Sequence, residues 1–332
     1  MSIIEVNHLY KQYQIAKRQE GLGGALRSLF HREYTTKMAV QDISFAVKQG
    51  EVVGYVGPNG AGKSTTIKML TGILVPTSGD IRVNGVIPFK ERQKNARQIG
   101  VVFGQRTQLW WDLPTIESFE LLKQVFQISD QRYRQNMTTF SDILGLGEFL
   151  HTPVRQLSLG QRMRADIAAS LLHDPVILFL DEPTIGLDVV AKERMRTIIK
   201  EINRERGVTV ILTTHDMSDI EKLCKRMILI DNGRVIYDGE LSKIKERFGK
   251  DRVLIVDLEG ENSGFVIAGT EVIKQEGNRK WLRFNRDEVT ASQLIHQISQ
   301  KYEIKDLTIK DPEIDVIIRH IYEKGIGSQA GA

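Results

Sequence analysis

Residues 52–70 read VVGYVGPNGAGKSTTIKML, which is an apolar run, a glycine-rich turn and the start of a segment with helical spacing. The turn at 57–64 matches the phosphate-binding loop pattern, and it lies between a strand and a helix as that loop requires. In such a loop, glycines let consecutive backbone N–H groups point at the phosphates, and the helix dipole adds to the attraction. The stretch therefore predicts a nucleotide site.

The lysine of the loop supplies a mobile positive charge, and the serine hydroxyl can ligate Mg²⁺. A glycine-rich turn without a ligand is the plain alternative, but the strand and helix on either side favour the phosphate loop. We predict Ser64 as a metal ligand. The residues predicted to contact the nucleotide are Gly57, Asn59, Gly60, Gly62, Lys63, Ser64 and Thr65.

Short apolar runs alternate with segments of helical spacing from about residue 3 to residue 239. The runs lack the in-and-out alternation of a half-exposed sheet, which is typical of buried parallel strands. We therefore expect an α/β fold. The predicted strands lie at 52–56, 99–103, 176–180, 208–212 and 227–230.

Two carboxylates follow the run 176–180, at the end of a strand where α/β folds place their chemistry. Asp181 is suited to hold Mg²⁺ through water, and Glu182 is suited to polarise an attacking water. A charged strand end that faces solvent is the alternative, and the phosphate loop favours catalysis. His215 follows the next strand; a lone histidine is usually structural, but at this sheet edge it could contact a γ-phosphate.

Composition excludes several classes of protein. The chain has 332 residues, of which 41% are hydrophobic and 27% charged, as in a globular protein of about two domains. Its apolar runs of about five or six residues are far short of the roughly 18 needed to span a bilayer. No signal-peptide pattern opens the chain, so we expect a cytoplasmic protein. The single cysteine, Cys224, excludes an internal disulfide, and the net charge of +4 demands neither nucleic acid nor anionic lipid.

Two segments differ from the α/β pattern. Within 14–37, a basic amphipathic helix is predicted from apolar residues at helical spacing, namely Leu22, Ala25, Leu26, Leu29 and Phe30. Beyond about residue 248 the pattern changes to extended runs at 253–258, 271–275, 280–284 and 304–309. A helix start follows at Asp311 and Pro312. We predict one domain at 1–245 and a small α+β domain at 246–332.

Several motifs occur in the order and spacing of an ATP-binding cassette (ABC) ATPase, and over about residues 3–240 the sequence resembles that family. The motifs are the phosphate loop, Gln105, the pentapeptide LSLGQ at 157–161, Asp181 with Glu182, the tripeptide GLD at 186–188, and His215. The resemblance implies a P-loop NTPase fold with a helical subdomain at about 110–165. It also implies hydrolysis of ATP with Mg²⁺ as cofactor.

The resemblance assigns roles to individual residues. Tyr13 would stack on adenine, with Tyr10 the weaker candidate. Gln105 would be a metal ligand that senses both Mg²⁺ and the membrane partner. His215 would be the switch histidine, acting beside the catalytic Glu182.

In this family the pentapeptide is a signature that acts across a dimer. Ser158, Gly160 and Gln161 would bind the γ-phosphate of ATP held by the opposite subunit, and Asp188 would bridge the two subunits. A homodimer with two composite sites follows. The family usually has glycine where this chain has Leu159, and because Ser158 and Gly160 are retained we expect function to survive. Taken alone, the pentapeptide is also a good serine-capped helix start.

The stretch FGQRTQLWWDLP at 103–114, the insertion at 14–37 and the C-terminal domain resemble ATPase subunits of ABC-2 type exporters, a branch that includes drug-efflux ATPases. The resemblance implies a separately encoded ABC-2 type membrane permease as partner, and a peripheral position on the cytoplasmic face of the membrane. Trp110 and Trp111 lie where a cassette meets its permease. Packing of both rings inside the helical subdomain is the alternative.

Two other functions compete with transport. A soluble cassette protein acting on nucleic acid usually carries two cassettes, or a long coiled coil between phosphate loop and signature. This chain has one cassette, and only 98 positions (160 − 62) separate Gly62 of the loop from Gly160 of the signature. A nucleotide-binding regulator without turnover is disfavoured by Glu182. We therefore expect no nucleic-acid partner, and the transported substrate cannot be read from these residues.

Overall fold

A computed structural model of the chain describes residues 1–16, 34–104, 106–260 and 264–324. The chain divides into two compact units, Met1–Asp238 and Gly239–Ala332, which are described separately. The boundary predicted from the sequence, after residue 245, falls within the first helix of the second unit (Leu241–Phe248). The predicted amphipathic helix falls on residues 17–33, which lie outside the described residues, and the flanking parts of that insertion are strands.

The first unit contains a six-stranded sheet whose strands carry the predicted chemistry at their ends. Its order is β5-β6-β7-β3-β8-β9, and the four pairings from β5 to β8 are parallel. The strands are β3 (Val52–Val56), β5 (Ile99–Phe103), β6 (Ile177–Asp181), β7 (Thr209–Thr213), β8 (Arg226–Asp231) and β9 (Arg234–Glu240). The α/β prediction is confirmed, since each predicted strand overlaps one of these.

An antiparallel sheet of order β2-β1-β4 packs on the other side of the same core. It consists of β1 (Ser2–Ala16), β2 (Tyr34–Lys48) and β4 (Ser78–Val83). Buried and exposed residues alternate along the second half of β2, as expected for a sheet with one wet face. The expectation that strand runs as far as residue 239 lack alternation was therefore wrong for this part of the chain.

The helices of the first unit are α1 (Lys63–Leu70), α2 (Arg92–Ala96), α3 (Thr115–Phe126), α4 (Asp130–Leu144), α5 (Leu159–Leu171), α6 (Val189–Arg206) and α7 (Met217–Leu223). Among these, α3, α4 and the first half of α5 form the helical region predicted at about 110–165. The apolar faces of α3 and α4 bury Phe119 and Phe140 completely. Burying a side chain of that size stabilises the fold by about 1.5 to 3 kcal/mol, which holds the helical region together.

The second unit is an antiparallel sheet with helices, as the α+β pattern predicted. Its order is β11-β12-β10-β13. The elements are α8 (Leu241–Phe248), β10 (Asp251–Leu258), β11 (Glu271–Glu276), β12 (Arg279–Asn285), α9 (Ala291–Ser299), β13 (Ile304–Lys310) and α10 (Ile314–Lys324). Asp311, predicted to start the last helix, instead accepts a hydrogen bond from Arg252 Nε at 2.6 Å. The core between sheet and α9 includes Leu254, Leu282 and Leu294.

Among the helices that the structure describes, none combines the length and apolar character needed to cross a bilayer. This agrees with the short apolar runs of the sequence.

The two units each have a core of their own, which leads to a test of the domain division. We expect a chain ending at Glu240 to fold and to bind nucleotide, because every predicted nucleotide contact precedes that residue. Circular dichroism melting and binding of a fluorescent ATP analogue check this. A truncated chain that melts cooperatively but binds no nucleotide would contradict the proposed division of labour.

Candidate active site

The parallel sheet brings the loops that follow β3, β6 and β7 to one edge. β7 pairs with both β3 and β6, so the three carboxyl ends are neighbours. The phosphate loop follows β3, Asp181 ends β6 with Glu182 directly after it, and His215 follows β7. Gln105, predicted after β5, lies outside the described residues, so its role as a metal and nucleotide contact stays a prediction.

The phosphate loop takes a shape that its glycines permit. Gly62 has φ of 105°, and a Cβ there would lie 2.5 Å from the carbonyl oxygen of Ala39. Only glycine fits such a position without displacing backbone. Gly62 is also the residue before α1, so the loop passes directly into the helix N-terminus, with Ser64 and Thr65 in its first turn. The backbone therefore supports anion binding at this point.

Lys63 lies over the loop that precedes it. Its Nζ donates hydrogen bonds to the carbonyl oxygens of Gly57 at 2.5 Å and Pro58 at 3.1 Å. Burial lowers the pKa of Lys63, and the nearby carboxylates of Glu182 and Asp181 act in the opposite direction. The ammonium group of Lys63 is thus held by neutral carbonyls and faces two acids. When nucleotide binds, this group can exchange the carbonyl oxygens for phosphate oxygens.

Glu182 has an unusual backbone that aims its side chain. Its φ is 57°, a left-handed conformation that is rare for residues other than glycine. Its N–H donates to Thr213 O at 2.9 Å, which ties this turn to the neighbouring strand. The carboxylate Oε2 lies 2.7 Å from His215 Nδ1. Non-glycine residues in this conformation concentrate at functional sites, where surrounding contacts hold them in place.

Asp181 is oriented by a residue that the sequence analysis missed. The hydroxyl of Thr213 donates a hydrogen bond to Asp181 Oδ1, and the two residues are register partners in β6 and β7. This contact could have been predicted in part, because a hydroxyl at the end of one predicted strand can reach the end of the neighbouring parallel strand. The register itself depends on long-range pairing.

The donor set fits a hard divalent cation. The Ser64 hydroxyl and the Asp181 carboxylate are oxygen ligands of the kind that Mg²⁺ prefers. Within the described part of the chain, no group of three or more His, Cys, Asp or Glu side chains could hold a metal alone. Mg²⁺ usually keeps several water ligands and binds through one or two carboxylates together with substrate phosphates.

The predicted signature starts a helix and also lines a cleft. Ser158 caps α5, and its Oγ accepts from the Gln161 N–H at 3.2 Å while Gln161 Oε1 accepts from the Ser158 N–H at 2.9 Å. The helix-start interpretation of the pentapeptide is therefore confirmed, and its role as a signature stays a prediction. The cleft is lined by Ser158, Gly160, Gln161, Arg164, Asp188, Val190, Ala191, Arg194 and Met195. No residue of the phosphate loop is among them.

The other predicted residues lie on separate elements. Asp188 caps α6 by accepting from the Ala191 N–H at 2.8 Å, beside the signature. The departure from the family pattern is accommodated, since Leu159 packs against Gly186, where a Cβ would lie 3.0 Å from Leu159 Cδ2. Tyr13 lies on β1, half-buried, with Lys11 Nζ 5.3 Å from its ring centre.

Comparison with known proteins identifies the family. The ABC transporter domain family matches residues 40–185. The linearmycin resistance ATP-binding protein LnrL of Bacillus subtilis is 35% identical over 237 residues, which cover 71% of this chain and 76% of LnrL. The chain is an ATPase of the ABC transporter family.

Two further likenesses agree with this. The ABC transporter ATP-binding protein NatA of Bacillus subtilis is 34% identical over 208 residues, covering 63% of this chain and 84% of NatA. A solved ATP-binding cassette, described as a dimer in a post-hydrolysis state bound to ADP and Pi, superposes with a TM-score of 0.59 at 26% identity. It covers 72% of this chain and 98% of its own.

In this ABC ATPase the two tryptophans are on the surface. Trp110 is 43% exposed and Trp111 is 49% exposed, so the alternative in which both pack inside the helical region is wrong. The ring of Trp111 lies 5.6 Å from the guanidinium carbon of Arg162, one turn into α5. The signature helix therefore supports one of the exposed rings directly.

A buried carboxylate ties the same helix to the segment before the tryptophans. Asp166 of α5 accepts hydrogen bonds from the Thr107 hydroxyl at 2.8 Å and the Gln108 N–H at 3.0 Å. Burial raises the pKa of Asp166 to about 6, although these two hydrogen bonds and Arg162 act to lower it. The segment that follows Gln105 is thus attached to the signature helix of the ABC ATPase at two successive turns.

The raised pKa predicts how stability depends on pH. A folded-state pKa above the unfolded value gives stability that is present at low pH and lost as pH rises through about 6. Asp166→Asn keeps an acceptor oxygen and buries no charge. We expect the free energy of unfolding of this variant, relative to wild type, to increase by about 1 kcal/mol between about pH 5 and pH 7 and to stay constant above.

Urea unfolding of both proteins at several pH values checks this. Asp166→Ala, which lacks the acceptor, is the control and should be less stable than Asp166→Asn at every pH. Parallel pH curves for wild type and Asp166→Asn would show that the carboxylate is not buried as described.

Proposed function

We propose that this ATPase powers a separate ABC-2 type membrane permease, and that the transport is export. The observation that supports ATP hydrolysis as the source of power is the meeting of Lys63, Asp181 and the Glu182–His215 pair at one edge of the parallel sheet. Export is supported by the relative LnrL, which is named for resistance to linearmycin. Attachment to the permease would hold the protein at the cytoplasmic face of the membrane.

Hydrolysis proceeds by positioning and charge. Lys63 neutralises phosphate oxygens, and Glu182 accepts the proton of the attacking water as its oxygen bonds to the γ-phosphorus and the bond to ADP breaks. His215 holds the Glu182 carboxylate through the 2.7 Å hydrogen bond, and with nucleotide bound it would contact the γ-phosphate. Ser64 and Asp181 would hold Mg²⁺, which supplies further neutralisation of the phosphates.

Two copies of the chain complete each site. The signature cleft beside Ser158 and the phosphate loop are separate surfaces of one chain, since no phosphate-loop residue lines the cleft. A second copy can therefore offer its Ser158, Gly160 and Gln161 to nucleotide bound at the first, with Asp188 at the boundary between subunits. The dimeric form of the superposed cassette supports this arrangement.

The exposed tryptophans are the proposed contact with the permease. Trp110 and Trp111 follow the segment attached to α5 through Asp166, and the signature serine is the N-cap of α5. Movement of the tryptophan pair relative to the sheet would therefore reach the composite site through one helix. Exposed aromatic pairs of this kind commonly carry much of the binding energy of an interface.

Replacement of the catalytic carboxylate tests the chemistry. We expect Glu182→Gln to lower the rate of ATP hydrolysis by at least about 100-fold while ATP binding is unchanged, because the amide keeps the shape but cannot accept the proton. With saturating Mg-ATP, light scattering should show a stable dimer. Hydrolysis near the wild-type rate, or a monomer under these conditions, would count against the assignment.

Replacement of the tryptophans tests the permease contact. Because both rings are exposed, Trp110→Ala with Trp111→Ala should leave the melting temperature and the basal ATPase activity of the isolated subunit near wild type. Truncation of aromatic contacts at the centre of an interface costs about 2 kcal/mol or more of binding free energy. Co-purification with the permease should be lost. The matched control is Val272→Ala with Ile273→Ala, a similarly exposed pair in the second unit, which should co-purify normally. Equal recovery of permease with both double variants would refute the contact.

A further inference from the structure

A single buried oxygen links the two loops that carry Glu182 and His215. Asp219, on α7, is completely buried, and its Oδ2 accepts hydrogen bonds from the hydroxyls of Thr184 at 2.5 Å and Thr214 at 3.3 Å. Thr184 lies two residues after Glu182, and Thr214 directly precedes His215. Both threonines are themselves buried. The two loops are therefore anchored to one atom.

The charge of Asp219 is balanced from the opposite side. Arg196, buried on α6, donates from Nε to Asp219 Oδ1 at 2.7 Å and from Nη2 to Ser218 Oγ at 2.7 Å. A buried carboxylate is tolerated when it is paired in this way and its remaining lone pairs accept hydrogen bonds. Asp219 meets both conditions, so the network forms a rigid support between α6 and α7.

The turn around His215 is closed through the same network. The Thr214 hydroxyl donates to Asp219 and also accepts from the Asp216 N–H at 3.0 Å. Lys192 of α6 pairs with the Asp216 carboxylate at 2.6 Å. The His215 side chain is 63% exposed, so packing does not hold it. Its position depends on the backbone turn on which it sits.

We propose that Asp219 is a positioning residue that sets the geometry of the Glu182–His215 pair. The inference rests on the catalytic roles proposed for these two residues. Glu182 occupies a left-handed backbone conformation, which persists only when neighbouring contacts fix it. The Thr184 anchor holds that turn from one side, and the Thr214 anchor holds the histidine turn from the other. A misplacement of either would spoil the 2.7 Å contact between them.

Removal of one anchor hydroxyl tests the inference in the full-length protein. Thr184→Val keeps shape and burial but cannot donate, whereas Thr184→Ser keeps the hydroxyl. We expect Thr184→Val to lower kcat for ATP hydrolysis by between about tenfold and a hundredfold with KM and ATP binding unchanged. Thr184→Ser should restore most of the rate. Thr214→Val provides a second route to the same result if Thr184→Val folds poorly.

The controls separate this inference from the proposed function. Thr197→Val removes a hydroxyl that bonds back to its own helix at Glu193 O and should keep wild-type kcat. If Glu182→Gln turns over normally, the proposed function fails. If Glu182→Gln is inactive while Thr184→Val and Thr214→Val both keep wild-type kcat, the positioning role is overturned. A rise in KM that accounts for the whole fall in kcat/KM, with kcat unchanged, would also overturn the positioning role. Such a result would indicate loss of nucleotide binding instead.

Discussion

The parallel pairing of β6, β7 and β3 is the constraint on which the site depends. Because β7 lies between the other two, the ends of all three strands are fixed relative to one another by backbone hydrogen bonds. The register sets Asp181 opposite Thr213 and thereby orients the carboxylate that we propose as a ligand of Mg²⁺. Polar and charged groups that lie together at one edge of a sheet need ion-pair or hydrogen-bond partners, and the structure supplies these partners. Lys63 faces two acids, and Glu182 is bonded to His215.

Much of this arrangement was predictable from local sequence. The apolar runs located the five parallel strands, and the phosphate loop and the Asp181–Glu182 pair fell at strand ends. Local patterns could not order the strands, so the contact between Thr213 and Asp181 was missed. The antiparallel sheet was missed because β1 and β2 are long and irregular, with register shifts along their pairing. Whether the two tryptophans are buried depends on tertiary packing, which periodicity does not report.

Long-range polar contacts connect the site to the rest of the first unit. Asp219 accepts hydrogen bonds from two loops that lie far apart in sequence. Asp166 accepts hydrogen bonds from the segment after Gln105. Both aspartates are buried. The first, Asp219, is paired with Arg196, and the second, Asp166, has hydrogen-bond donors and a more distant arginine as its partners. In our account the first holds the catalytic pair still, and the second passes motion from the tryptophan surface to the signature helix.

The central claim is that each chain carries two incomplete halves of a catalytic site. Lys63→Ala disables the phosphate-loop half, and Ser158→Arg blocks the signature half, so each variant alone should form no working site. Mixing the two purified variants and measuring ATP hydrolysis tests the claim directly, because a mixed dimer has one site with both halves intact. The account predicts that the mixture hydrolyses ATP although neither variant does so alone. A mixture as inactive as its two components, despite subunit exchange shown by pull-down, would contradict it.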